Sequence, residues 1–138
     1  MIRNIVFAFI SIVAILGCSS TDLDGDWEPM KWQPEGKIVS NDGVYSIEAQ
    51  GTTITFLCSN YKSPWMSDAI SNGTYFLPEH EENDNKNIRG DWFSATLTGN
   101  RLTLIFTENL STERSMQLTV TAGDIFYTFY FKQLGKQK

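Results

Sequence analysis

The feature that most constrains the fold is an alternation of apolar and polar side chains in the last third of the chain. It runs through three segments, Arg101 to Glu108, Glu113 to Thr121 and Asp124 to Gln133, where threonine is frequent between the apolar residues. A period of two places the apolar side chains on one face of a β-strand. The pattern therefore predicts three adjacent hairpin strands with one buried face and one face in water.

Shorter alternating runs separated by Gly, Asn and Asp predict more strands earlier in the chain. These runs are Gly25 to Gln33, Gly36 to Ser40, Val44 to Gln50, Thr52 to Ser59, Gly73 to Leu77 and Gly90 to Thr98. No segment has a sustained helical period. We expect an all-β domain, a small antiparallel up-and-down β-barrel of about eight or nine strands, because closure removes exposed edge strands. A β-sandwich is the alternative.

Two segments interrupt the alternation. Asn60 to Asn72 is polar and turn-prone, and we expect a long loop or a short helix there. Pro78 to Asn87 is acidic and almost without apolar residues, so it cannot contribute to a core and is expected to be an exposed, mobile loop.

The N-terminus has the pattern of a secretory leader. Arg3 is followed by an uncharged apolar run, Ile5 to Leu16, of about 12 residues, where a bilayer-spanning helix needs about 20. The run ends in a sequence that resembles the lipobox of bacterial lipoproteins, in which Ile15, Gly17 and Cys18 match the aliphatic, small and lipidated positions. The resemblance implies a signal peptide at 1–17 and a lipid-anchored linker at 18–24.

A lipidated Cys18 makes a membrane the first expected partner. Two or three acyl chains give a stable anchor, and we expect the cell envelope of a Gram-negative bacterium, at the outer membrane. Only Cys18 and Cys58 exist, so lipidation of the first leaves the second without a disulfide partner. Cys58 lies on the same alternating face as Ile54 and Phe56 and is expected to be a small buried hydrophobe.

The start of the mature chain adds a second resemblance. Gly25-Asp26-Trp27, ahead of the alternating strands, resembles the Gly-x-Trp motif that opens the first strand of lipocalins. The resemblance covers about Leu23 to Gln133, with the barrel domain at 25–133 and a polar tail at 134–138. It implies that Trp27 plugs the closed end of the barrel and that Gly25 permits close backbone approach. It also implies an interior that binds a small apolar or amphipathic molecule, lined by Leu102, Leu104, Phe106, Leu118 and Phe129.

Charge and composition argue against several functions. Without Arg3 the chain has ten Lys and Arg against 16 Asp and Glu, a net charge of −6, which opposes nucleic acid as a partner. The single histidine, His80, lies in the acidic loop, and that loop matches neither a calcium-binding loop nor a zinc motif. We predict no bound metal, no cofactor and no catalysis.

Aromatic residues in the first irregular segment are the candidate contact residues. Tyr61, Trp65 and Met66 combine an apolar surface with a polar setting, which is typical of contact surfaces when such residues are exposed. Two further functions stay open. One is a protein-interaction or inhibitor module, a filled barrel whose loops at 61–66 and 79–84 contact a basic envelope partner. The other is a surface glycan-binding accessory that uses Trp65 and Tyr61 as stacking platforms.

Overall fold

Strands and turns make up the part of the chain that the computed structural model describes, residues 28–79 and 85–136. Cys18, Gly25, Trp27 and the acidic stretch 80–84 lie outside the described residues. The strands are β1 (Trp32–Glu35), β2 (Val39–Asn41), β3 (Val44–Ile47), β4 (Thr52–Cys58), β5 (Trp65–Ser71), β6 (Thr74–Phe76), β7 (Asn87–Arg89), β8 (Phe93–Thr98), β9 (Arg101–Phe106), β10 (Arg114–Ala122) and β11 (Ile125–Gln133). None of these residues belongs to a helix that is long and apolar enough to cross a membrane.

The strands form two sheets. Sheet A has five strands in the order β1-β4-β9-β8-β7, and sheet B has six in the order β2-β3-β11-β10-β5-β6. All neighbours are antiparallel except β3 and β11, which are parallel. The all-β prediction is confirmed. The described residues form 11 strands rather than eight or nine, and the neighbours β3 and β11 do not follow the up-and-down order.

The predicted three-stranded unit is divided between the sheets. Strands β10 and β11 form the expected hairpin, but β9 lies in sheet A between β4 and β8. The connection that carries the chain across is fixed by Asn109, which is buried. Its backbone N–H donates to the carbonyl of Ala49 (2.7 Å), and its side-chain amide donates to the carbonyls of Thr112 and Leu134. Alternation predicts a strand but does not specify its partner.

Two strands were missed in the irregular segments. Strand β5 occupies much of the predicted loop 60–72, and β7 begins at the last residue of the predicted acidic loop. The reason in β5 is a β-bulge. Met66 pairs with Val120 and Asp68 with Thr119, so Ser67 is the extra residue, and it shifts the alternation by one position.

The first strand begins later than predicted, at Trp32. Before β1, the side chain of Asn60 forms hydrogen bonds with the backbone of residues 29 and 31. Its amide group donates to the carbonyl of Pro29 (2.8 Å), and its oxygen accepts from the N–H of Lys31 (2.9 Å). Residues 28–31 are therefore held by a side chain against the turn that follows β4. We call this end of the molecule, where the described chain begins, the proximal end, and the opposite end the distal end.

The core lies between the two sheets, and a polar cluster closes it at the distal end. Cys58 is buried beside Phe56, in agreement with its expected role as a small hydrophobe. At the distal end the side chain of buried Gln133 donates to the carbonyls of Glu48 (3.1 Å) and Thr107 (2.7 Å) and accepts from Nε of Arg114 (2.8 Å). Because each buried polar atom there has a partner, the closure costs little desolvation energy.

Candidate binding surface

The interior between the sheets is filled with side chains. Leu102, Leu104, Phe106, Leu118 and Phe129, the residues that the lipocalin resemblance places along a ligand cavity, are all buried. The ring of Phe129 lies 4.9 Å from that of Phe56 and 5.4 Å from that of Trp32, centroid to centroid, and Phe106 lies 5.1 Å from Phe131. These are packing distances for aromatic pairs. None of the five residues lines either of the two clefts described below.

The outer faces of the two sheets differ in chemistry. Across the middle of sheet A, the outward side chains are Glu35, Thr55, Thr103, Thr96 and Asn87 in consecutive strands. This polar row is what an outer face in water is expected to show. The corresponding row of sheet B, which we call the aromatic row, consists of Val44, Tyr130, Gln117, Ile70 and Tyr75. Four of its five members are apolar or aromatic.

A cleft of about 330 Å³ lies along the aromatic row, and we call it the central cleft. Its apolar wall comes from Val44, Ile70 and Tyr130, and Tyr130 is 47% exposed. Gln117, between Tyr130 and Ile70, and Lys132, on the distal side, supply polar groups. The Lys132 ammonium lies 3.6 Å from the carboxylate of Glu113 in an exposed pair, and such pairs contribute little to stability. The arrangement can hold an apolar body with a polar or anionic group at one side.

A second cleft, of about 380 Å³, lies at the proximal end of the same face. Trp65 and Phe126 flank Thr121 from the two neighbouring strands, and they bury it. Leu77 and Pro78, which follow β6, complete the apolar wall. We call Trp65, Leu77 and Phe126 the proximal cluster.

The three predicted contact residues have different positions. Trp65 is 37% exposed and lines the proximal cleft. Met66 also lines this cleft, but its side chain is fully buried in the core, because the strand turns alternate residues inward. Tyr61 is half-buried, its ring packs against the core, and its hydroxyl donates to the carbonyl of Glu28, so it holds the N-terminal segment in place.

Titratable groups do not gather in either cleft. Burial raises the pKa of Tyr45, which lies among core rings, and lowers the pKa of Arg114 at the distal end. The pKa of Glu28 is lowered by its hydrogen bond to Lys31 and by the charge of that residue. Among residues 28–79 and 85–136, no group of three His, Cys, Asp or Glu side chains is arranged to hold a metal ion. His80 lies outside the described residues.

The sequence contained part of the signal for this surface. Phe126 and Tyr130 fall on the outward positions of the β11 alternation, where the neighbouring strands carry mainly threonine, and an aromatic pair there indicates a contact face. The sequence alone could not show that Val44 and Ile70 belong to the same surface. They lie beside this face only through the parallel β3–β11 pair and the β5–β10 pair, and both pairs join distant parts of the chain.

Fold and surface together define an all-β protein with two packed sheets and an aromatic outer face. No protein-family model matches the chain, and no curated protein does either. Among solved structures, the NMR structure of a protein from Bacteroides thetaiotaomicron is similar, with a TM-score of 0.66 and 33% sequence identity over 88% of this chain and 100% of that chain. The chain belongs to the same protein family as this Bacteroides thetaiotaomicron protein.

Proposed function

We propose that the protein is a non-catalytic binding protein of a Gram-negative cell envelope, lipid-anchored at Cys18, which binds a small amphipathic molecule in the central cleft. The observation that carries the proposal is the aromatic row with its cleft of about 330 Å³ on the outside of a filled core. Relative to the expectation drawn from lipocalins, the class of ligand is kept and the site moves from the interior to the outer face of sheet B.

The chemistry of the cleft supports an amphipathic ligand rather than a wholly apolar one. Val44 and Tyr130 on neighbouring strands and Ile70 on the far side of Gln117 give the cleft apolar surface on both sides of one amide. Gln117 between them supplies an amide, and Lys132 at the distal side supplies an ammonium group that can bind a carboxylate, sulfonate or phosphate head. The exposed Glu113 partner can be displaced at small cost.

The finer form of the fold, a closed barrel related to lipocalins, is part of the same proposal. It is supported by a backbone hydrogen bond between the sheets at one edge, where the N–H of Met66 in β5 donates to the carbonyl of Asn85 (2.8 Å), two residues before β7. This contact joins the β7 edge of sheet A to β5 of sheet B, beyond the end of the short strand β6. The barrel we propose is flattened and filled, and its ligand lies outside it.

The test uses residues 19–138, which retain all 11 strands. The Bacteroides thetaiotaomicron relative, which matches 88% of this chain, is a folded protein with a solved structure. The probe is anilinonaphthalene sulfonate, which has an aromatic body and an anionic head and fluoresces in apolar sites. We expect Tyr130→Ser to weaken its binding about tenfold, since the contact area of one aromatic side chain contributes about 1.5 kcal/mol or more.

The matched control is Ile105→Ser. Ile105 is 49% exposed, close to the 47% of Tyr130, but it lies on the outer face of sheet A, so its replacement should leave the dissociation constant unchanged. Lys132→Gln should weaken binding and reduce its dependence on salt. Equal effects of Tyr130→Ser and Ile105→Ser would refute the assignment of the site.

Competition separates the ligand classes. Dodecanoate should displace the probe from the central cleft. Displacement by a maltooligosaccharide and not by dodecanoate would favour the glycan-binding alternative. If neither displaces the probe, and a basic envelope protein does, the interaction module becomes the better function, and its binding should weaken with salt because the chain is acidic.

A further inference from the structure

The proximal cluster is the apolar surface that the proposed ligand site does not use. Leu77 is 66% exposed, Phe126 63% and Trp65 37%, and together they form one wall of the proximal cleft. An aromatic and aliphatic wall of this kind in water is unfavourable unless another surface covers it for part of the time.

The described chain begins at the same end of the molecule as this cluster. Tyr61 donates to the carbonyl of Glu28 and Asn60 to that of Pro29, so the N-terminal segment is held at the loop that leads into β5. Trp65 is only four residues beyond Tyr61. The ammonium group of Lys86 bonds the carbonyl of Pro64 (2.6 Å) and fixes the last turn of that loop.

We infer that the proximal cluster is a membrane-docking surface, which seats the folded domain on the bilayer to which Cys18 is anchored. The inference rests on the proposed lipid anchor. Ten residues, 18–27, separate the anchor from the described chain, and a chain of that length spans at most about 35 Å. The proximal end is therefore the end that the tether holds nearest to the lipid.

The chemistry of the cluster fits the interfacial region of a bilayer. Tryptophan prefers this region because its ring is apolar and its N–H can still bond water or headgroups. Phe126 and Leu77 add the apolar area that shallow insertion needs. The net charge of −6 for the chain without its leader means that attraction to anionic lipids contributes nothing, so docking depends on apolar contact.

The orientation has a consequence for the central cleft. The aromatic row crosses the middle of sheet B, between Thr119–Thr128 on its proximal side and Lys132 on its distal side. If the domain contacts the membrane with its proximal end, the aromatic row lies above the membrane surface and faces parallel to it.

The experiment uses the lipidated protein, residues 18–138, in phosphatidylcholine vesicles whose acyl chains carry bromine, which quenches nearby tryptophan. We expect quenching of a component of the emission that Trp65→Phe removes, because phenylalanine preserves docking but not the reporter. Trp32 and Trp92 are buried and should contribute little, and Trp27→Phe in every sample removes the fourth tryptophan, which lies in the tether. Adding anionic lipid should not increase the quenching.

A matched pair of variants tests the surface itself. Leu77 and Leu110 are the same residue type with nearly equal exposure, 66% and 67%, and Leu110 lies in the distal connection between β9 and β10. Leu77→Ser should reduce quenching of Trp65, and Leu110→Ser should not. Equal effects of the two variants would overturn the inference.

Flotation of the same samples separates the two proposals. Protein that floats with the vesicles while Trp65 stays unquenched would keep the lipid anchor and overturn docking through the proximal cluster. Protein that does not float would overturn the anchor and, with it, the docking that depends on it. Flotation together with the expected quenching supports both.

Discussion

Replacing Phe129 by alanine measures whether the interior is solid or hollow. Phe129 is 1% exposed, and its ring contacts those of Tyr127 (4.8 Å), Phe56 (4.9 Å) and Trp32 (5.4 Å). Burial of a phenylalanine side chain contributes about 1.5–3 kcal/mol. The substitution also leaves a cavity, and because rings on several sides hold its walls in place, it cannot close fully. The expected loss of unfolding free energy is therefore about 3–5 kcal/mol.

The assay is urea unfolding at equilibrium, followed by tryptophan fluorescence, with the m-value checked for two-state behaviour. The control is Tyr130→Ala at the next position, where the side chain is 47% exposed, and we expect a loss below about 1 kcal/mol there. If the alanine variant of Phe129 does not fold, Phe129→Leu should still cost about 1–2 kcal/mol. A Phe129→Ala loss below about 1.5 kcal/mol would mean that the ring borders an existing cavity, and the filled core would be refuted.

Three further perturbations test the distal closure, one turn and the buried tyrosine. Gln133→Ala should cost about 2–4 kcal/mol, because it removes three hydrogen bonds of a fully buried side chain, one from Nε of Arg114 and two to the carbonyls of Glu48 and Thr107; a urea midpoint no lower than that of Gln117→Ala would contradict this. Gly51→Ala combines a φ of +82° with a clash against backbone and should lose more stability than Gly43→Ala, which has a φ of +79° and open space around it; equal melting temperatures would remove the role assigned to close approach. Burial raises the pKa of Tyr45, so the folded state retains the phenol proton longer than the unfolded state, and stability should fall as the pH rises above about 10. In Tyr45→Phe this alkaline loss should be smaller, and an unchanged pH profile of unfolding would show that another group is responsible.

Local patterns predicted the strands more reliably than their partners. Strand β4 was expected at 52–59 and is found at Thr52–Cys58, and the β10–β11 hairpin follows from two alternating runs around Ala122-Gly123. Pairing of β3 with β11 depends on contacts between distant parts of the chain, and a period of two carries no information about them. Strand β5 was missed because the bulge at Ser67 breaks the period.

The candidate surface was predictable only in part. Trp65 was singled out from the sequence and is exposed, whereas Met66 beside it is buried, since adjacent residues of a strand face opposite sides. The interior expected from lipocalins contains the predicted residues, but aromatic rings from both sheets pack against Phe129 there. How much space side chains leave between two sheets is a property of their three-dimensional packing.

A filled core and an aromatic outer face are consistent with each other in physical terms. Once the inner faces of both sheets are buried against one another, a ligand can gain apolar contact only on an outer face. Sheet B is suited to this because Tyr130 and Ile70 lie one strand either side of Gln117. Sheet A presents threonine at the matching positions, which favours water over an apolar ligand.

The measurement that tests the central claim most directly is methyl-resolved NMR of residues 19–138 during addition of dodecanoate. It compares the methyl groups of Val44 and Ile70, in the central cleft, with those of Leu102, Leu104 and Leu118, inside the core. Our account predicts saturable chemical-shift changes at Val44 and Ile70 and none at the three leucines. Large changes at the leucines, with Val44 and Ile70 unaffected, would place the ligand between the two sheets and contradict the account.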